Sequence, residues 1–174
     1  MKLRYLFKIQ NIIDNEIRKF CQREGDLLDH QRLRKTQILA LEVKTAELAN
    51  LTKCYKHTYQ PKPLDKDKLI IRYIDCFKFL LSIGNENHFN VAGIINVDDM
   101  EVSGQPELLD SFLHIFDLIV VLKKHLAEDN YLASLTTYTE IFKEFIHLGQ
   151  VQGLTFEEIF EHYDQLYQDM QNKA

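Results

Sequence analysis

Residues 67–83 read Asp-Lys-Leu-Ile-Ile-Arg-Tyr-Ile-Asp-Cys-Phe-Lys-Phe-Leu-Leu-Ser-Ile, an apolar run interrupted by only a few charges. Leu69, Ile70, Ile71, Ile74, Phe77, Phe79, Leu80, Leu81 and Ile83 surround the axis of any helix built from this stretch. A helix with so little polar surface must sit at the centre of a bundle or in a subunit interface. Its few charged side chains then need partners, because unpaired charge beside an apolar core is costly. The remaining elements must supply the surroundings for this one.

The rest of the chain is patterned to do so. Only three prolines and six glycines interrupt 174 residues, which favours long helices over many short strands. Leu6, Ile9, Ile13, Ile17 and Phe20 recur at steps of three and four, predicting a helix over about 2–24 that Gly25 ends. A second helix is expected from Asp29 to about Tyr55, with Leu33, Ile38, Leu41, Thr45, Leu48 and Thr52 on its inner face. Pro61 and Pro63 mark the loop before the apolar helix, which is expected to stop before Gly84. Residues 85–106, with Gly93, Gly104 and Pro106, read as a long loop with a short extended piece at 93–97. Two further helices are expected. One spans 107–126, facing inward with Leu109, Phe112, Phe116, Ile119 and Val120. The other spans 130–148, using Tyr131, Leu135, Tyr138, Phe142 and Phe145, with Gly149 as its cap. Thr155-Phe156-Glu157-Glu158 is a capping-box pattern opening a last helix. The expected architecture is all-α, a bundle of five to six helices in one domain over 1–174.

Composition narrows the function classes. The formal net charge of −5 offers no clustered positive surface for a nucleic-acid backbone. Cys21, Cys54 and Cys76 are odd in number and lack zinc spacing, so reduced, packed thiols are expected. Lys8, Gln10, Asn11 and Asp14 break the apolar run that a signal peptide would need, and no stretch reaches the length of a membrane span. A cytoplasmic protein is expected. The seven histidines show no metal-ligand spacing, and neither a phosphate-binding G-x-x-x-x-G-K-[ST] loop nor a G-x-G-x-x-G turn is present.

Two base–acid pairs draw attention: Lys44 with Glu47 on the second helix, and Arg72 with Asp75 on the apolar one. Residues three apart share a helix face and can meet. Such pairs are common on solvated faces and contribute only about 0.2–0.5 kcal/mol there. The setting of Arg72 and Asp75 among Ile71, Ile74 and Phe77 is less ordinary.

Several stretches carry a resemblance. They are Leu39-Ala40-Leu41 through Glu47-Leu48-Ala49-Asn50, then Cys54-Tyr55-Lys56, then Tyr73-Ile74-Asp75-Cys76-Phe77-Lys78 through Gly84. Together with Leu6 through Gln10 and Gly153 through Ile159, the sequence resembles the dimeric all-α dUTPases, within the MazG-like superfamily of nucleotide pyrophosphatases. The resemblance implies an intimate homodimer and a site in which E-x-x-E on one helix and E-x-x-D on the next hold magnesium. Clustered carboxylates are the hard oxygen donors that this ion requires. It also implies base recognition by Gln10, with Asp14 near the companion position, and a nucleotide-binding role for Lys56.

This sequence departs from that pattern at the metal motifs. Glu47 and Asp75 match the second acid of each pair and are the residual catalytic and metal-binding candidates. Lys44 and Arg72 stand where the family has glutamates, and Leu51 where many members carry a further one. Four acids become two acids and two bases. Leu166, Tyr167, Met170 and Lys173 stand near the family's phosphate-gripping tail positions, and Thr58 near its tryptophan.

The leading expectation is a dUTPase-like protein with an eroded magnesium site, needing no cofactor. It would bind a deoxyuridine nucleotide through Lys44 and Arg72, or a protein partner. The alternative is an active dUTPase or dNTP pyrophosphatase whose magnesium is held by Glu47 and Asp75 with an acid from the loop (Asp98, Asp99 or Glu101). Glu42, five residues from Glu47, is turned away from that face. A helical interaction protein with no small-molecule site is the third reading.

Overall fold

The computed structural model describes residues 2–23, 29–57, 64–92 and 107–172. Among these, six α-helices follow one another: α1 (Lys2–Arg23), α2 (His30–Thr52), α3 (Lys66–Glu86), α4 (Leu108–Ala127), α5 (Tyr131–Val151) and α6 (Phe156–Gln171). A 3-10 turn at Phe89–Ala92 follows α3. The all-α expectation holds. The expected ends at Gly25, the prolines at 61 and 63, and the extended piece at 93–97 lie outside the described residues.

The apolar helix is the centre. α3 packs against α1, α2, α5 and α6, and Leu69, Ile70, Tyr73, Ile74, Cys76, Phe77, Leu80, Leu81 and Ile83 are all buried. Ile71 is exposed, and Phe79 is partly buried against the core. Two buried tyrosines pin α5 to α3. Tyr138 donates its hydroxyl to the Leu80 carbonyl at 2.9 Å, and Tyr73 donates to the Phe145 carbonyl at 2.7 Å. Burial pushes both phenols well above their ordinary pKa, so they remain donors. A buried hydroxyl without a partner would cost about 1–3 kcal/mol, which makes these contacts specific as well as cohesive.

Several helix ends differ from the sequence-based expectation. α3 runs through Gly84 to Glu86, and His88 turns the chain at φ 60°. Gly84 is a packing residue: a Cβ there would collide with the Tyr138 hydroxyl and stand 2.8 Å from the Phe7 ring. Gly149 likewise lies inside α5, against the Tyr73 ring. The stop signal comes four residues later. Gly153 sits at φ 78° while Leu154 N–H reaches the Gly149 carbonyl and Gly153 N–H the Gln150 carbonyl. That is the Schellman arrangement, which favours glycine in the left-handed position. α2 ends at Thr52 instead of Tyr55 because Lys53 adopts φ 59°. What reads as a loop from 85 begins as the end of α3 and the 3-10 turn, with Phe89 buried.

Inner faces are narrower than the periodicity implies. Leu6, Phe7 and Ile9 of α1 are buried, but Ile17 and Phe20 are 53% and 63% exposed. On α4 the core positions are Phe112, Ile115, Leu118, Ile119 and Leu122, whereas Leu109 and Val120 face outward. Caps follow their rules. Asp29, Asp65 and Asn130 accept from first-turn amides, and Thr155 and Glu158 close a capping box.

The close approach at Gly84 generates a test. Gly84→Ala should lower stability by about 1–3 kcal/mol, the usual range for overpacking a tight contact, and more than Gly149→Ala, whose Cβ meets the Tyr73 ring at 3.1 Å. Urea denaturation of the two variants checks the ranking.

Candidate functional site

α2 and α3 run side by side, and their open faces bring four sequence-selected residues and a fifth into one cluster. Lys44 Nζ lies 3.0 Å from Glu47 Oε2 on α2. Arg72 Nη1 reaches across from α3 to the same Glu47 oxygen at 3.1 Å. Its own-helix partner is looser, with Asp75 Oδ2 at 3.7 Å. Lys78 Nζ approaches the other Asp75 oxygen at 3.6 Å. The side chains are 26–47% exposed, so the cluster opens to solvent.

Lys78 escaped the sequence reading, although its spacing from Asp75 is the same as that of Arg72. The inter-helix contact of Arg72 with Glu47 depends on the register of α2 against α3 and has no sequence signal. Below the cluster Cys76 is buried, and burial pushes its thiol far above the ordinary range. A thiol so protonated is no nucleophile at neutral pH. Glu42 faces α4 and pairs with Lys123 at 2.6 Å. Its five-residue offset from Glu47 predicts that orientation.

Gln10 and Asp14 meet a different part of α3, roughly 10 Å along the helix from Asp75, at Ser82. Gln10 Nε2 donates to Asp14 Oδ1 at 2.7 Å and approaches Ser82 Oγ at 3.0 Å; Gln10 Oε1 accepts from the Tyr163 hydroxyl of α6. Ser82 donates to Asp14 Oδ1 at 2.9 Å. These bonds tie α1, α3 and α6 together and occupy the amide of Gln10. Asp14 Oδ2 is buried and has no partner among the described residues. Burial raises the Asp14 pKa, offset in part by the Gln10 and Ser82 hydrogen bonds and the Arg18 charge.

Lys56 is exposed in the turn beyond α2 and makes no ion pair among the described residues. Leu166, Tyr167 and Met170 lie on α6, while Thr58, Lys173, Asp98, Asp99 and Glu101 fall outside the described residues. Among the described residues no three His, Cys, Asp or Glu side chains converge as a metal site. No helix there is long and apolar enough to cross a membrane.

The raised Asp14 pKa has a defined sign. Between its unfolded and folded values the native state holds a proton that the unfolded chain releases. Stability from this residue therefore grows as pH falls through the raised value and is lost above it. Asp14→Asn should flatten the stability profile just above the ordinary carboxylate range and leave neutral-pH stability equal or higher. Urea midpoints measured across that range check this; a retained slope would assign it to another group.

The sequence profile of one family, described as dUTPase, matches residues 2–171. No curated protein and no solved structure matches the chain. With nearly the whole length covered and an all-helical fold, the chain belongs to the all-α dUTPase family.

Proposed function

We propose that this dUTPase-family protein acts by binding a nucleotide through its own cations, without metal-dependent hydrolysis. The observation that carries this reading is the position of the Arg72 guanidinium, 3.1 Å from Glu47 on the neighbouring helix, where Lys44 also arrives. Two carboxylates engaged by three cations, a formal sum of +1, form a poor donor set for magnesium. A divalent ion would have to displace Arg72 and Lys44 from Glu47 and would meet their repulsion. The residues present do not fit that ion.

A nucleotide phosphate faces the opposite balance. Its oxygens compete with Glu47 and Asp75 for Lys44, Arg72 and Lys78, and arginine presents a planar fork suited to phosphate. The solvent-open geometry makes such an exchange cheap, because half-exposed ion pairs are worth little. Gln10 and Asp14 act in this reading by fixing α1 against α3 and α6.

Calorimetry with dUTP and dUMP, in chelator and in magnesium, tests the proposal. Binding should persist in chelator, weaken with salt, fall about tenfold or more in Arg72→Met, and strengthen in Glu47→Gln, which frees two cations. Pyrophosphate release that requires magnesium and disappears in Glu47→Ala or Asp75→Ala would instead return the protein to the hydrolases.

The outward apolar residues of α4 support a homodimer as well. Leu109, Leu113, Val120 and Val121 are exposed along one side of this helix. Apolar stripes of that kind mark association surfaces. Leu113→Glu with Val120→Glu should shift the sedimenting species from dimer to monomer; a monomeric parent protein would refute the assignment.

A further inference from the structure

A second cleft, of about 800 Å³, opens at the far end of α3 from the ion cluster. The second half of α1, the first turns of α2, the end of α3 and the α4–α5 turn frame it. Its volume falls in the range of small-molecule sites. Glu86 is nearly buried, with one oxygen held by Arg18 at 2.6 Å and the other by His30 at 2.8 Å. Arg34 lies one turn beyond His30 on the same face of α2 and has no ion-pair partner among the described residues.

Three polar atoms of residues lining this cleft are buried with no hydrogen-bond partner among the described residues: Arg18 Nε, Arg34 Nε and Ser134 Oγ. Ser134 is 1% exposed. Buried donors left without acceptors are costly, and three on residues that line one cleft point to acceptors that arrive from outside once these side chains turn toward it. The lining also has an apolar part. Phe89 and Tyr131 have ring centroids 5.7 Å apart, and Leu126 lies beside them. Tyr131 is half exposed, so one ring is available to a ligand.

We propose that this cleft binds a small phosphomonoester carrying an aromatic or heterocyclic ring. The phosphate sits on Arg34 and the free edge of Arg18, and the ring lies against Tyr131 and Phe89. Glu86 engages Arg18 and His30 and fixes their positions, which leaves Arg34 as the arginine without a carboxylate partner. Asp129 also lines the cleft, but it is exposed and screened by water. The site does not depend on the reading of the Lys44–Arg72 cluster. Ten residues of α2 separate Arg34 from Lys44, roughly 15 Å at the helical rise.

Phenyl phosphate is the minimal probe, with inorganic phosphate and phenol as single-feature controls. In an amide-shift titration of the full chain it should saturate and move residues 30–34, 85–89 and 131–134, with each control weaker. Arg34→Met should weaken it about tenfold or more while melting no lower than the parent, since it removes a buried unpartnered donor. Arg34→Lys keeps the charge without the fork and should fall between the two. In Arg72→Met the shifts of residues 30–34, 85–89 and 131–134 should saturate as in the parent, which separates this site from the nucleotide reading. The proposal is overturned by no saturation at millimolar probe, by shifts confined to the surroundings of Lys44 and Arg72, or by unaltered affinity in both Arg34 variants.

Discussion

The burial of α3 is the constraint on which the rest of the structure depends. Nine of its apolar side chains enter the core, and two tyrosine hydroxyls donating to backbone carbonyls fix α5 on it. Fully burying a side chain of the Leu, Ile or Phe kind is worth about 1.5–3 kcal/mol, so this helix dominates the stabilisation and dictates where its neighbours go. A seam of mostly polar residues runs along one line of its surface, half-open at Arg72 and Asp75 and buried at Ser82 and Glu86. Arg72, Asp75, Phe79, Ser82 and Glu86 alternate steps of three and four, which places them on a single stripe. The polar contacts of α3 follow that stripe. Arg72 and Asp75 meet α2, Ser82 meets α1 through Asp14 and Gln10, and Glu86 meets Arg18 and His30.

This layout explains why the charges are arranged in pairs and not left single. A seam between packed helices is partly desolvated, and an isolated carboxylate there pays for it in a raised pKa, as Asp14 does. Glu47 is paired with Lys44 and Arg72, and Glu86 with Arg18 and His30. At the solvent-facing corner the same logic is milder. Lys66 and the Thr155 cap hold the Glu158 pKa at about 2, on a part-exposed side chain that starts α6.

Much of the fold is legible in the sequence because period and caps are local. The long apolar run names the central helix, and Thr155 with Glu158 names the start of the last one. Glycine is where local reading fails. Gly84 and Gly149 look like stops, yet each lets an aromatic ring approach a helix, and only Gly153 adopts the left-handed turn. One residue type serves both purposes, and tertiary contacts alone separate them. Amphipathic spacing also overstates burial where neighbours are shorter than the helix, as Ile17 and Phe20 show.

The candidate site divides the same way. Pairs three apart on one helix were visible as Lys44–Glu47 and Arg72–Asp75, since helix geometry alone places them. The Arg72–Glu47 contact was not, because it depends on how two helices slide against each other. The register that produces it decides the chemistry. With Arg72 turned to its own Asp75 alone, Glu47 would be left to Lys44, which touches its two oxygens at 3.2 and 3.0 Å. With the guanidinium across the seam, both helices share one neutralised carboxylate, and the free valence of the cluster is positive. In the proposed reading an anion is then the visitor, where the resemblance implies carboxylates assembled around a cation.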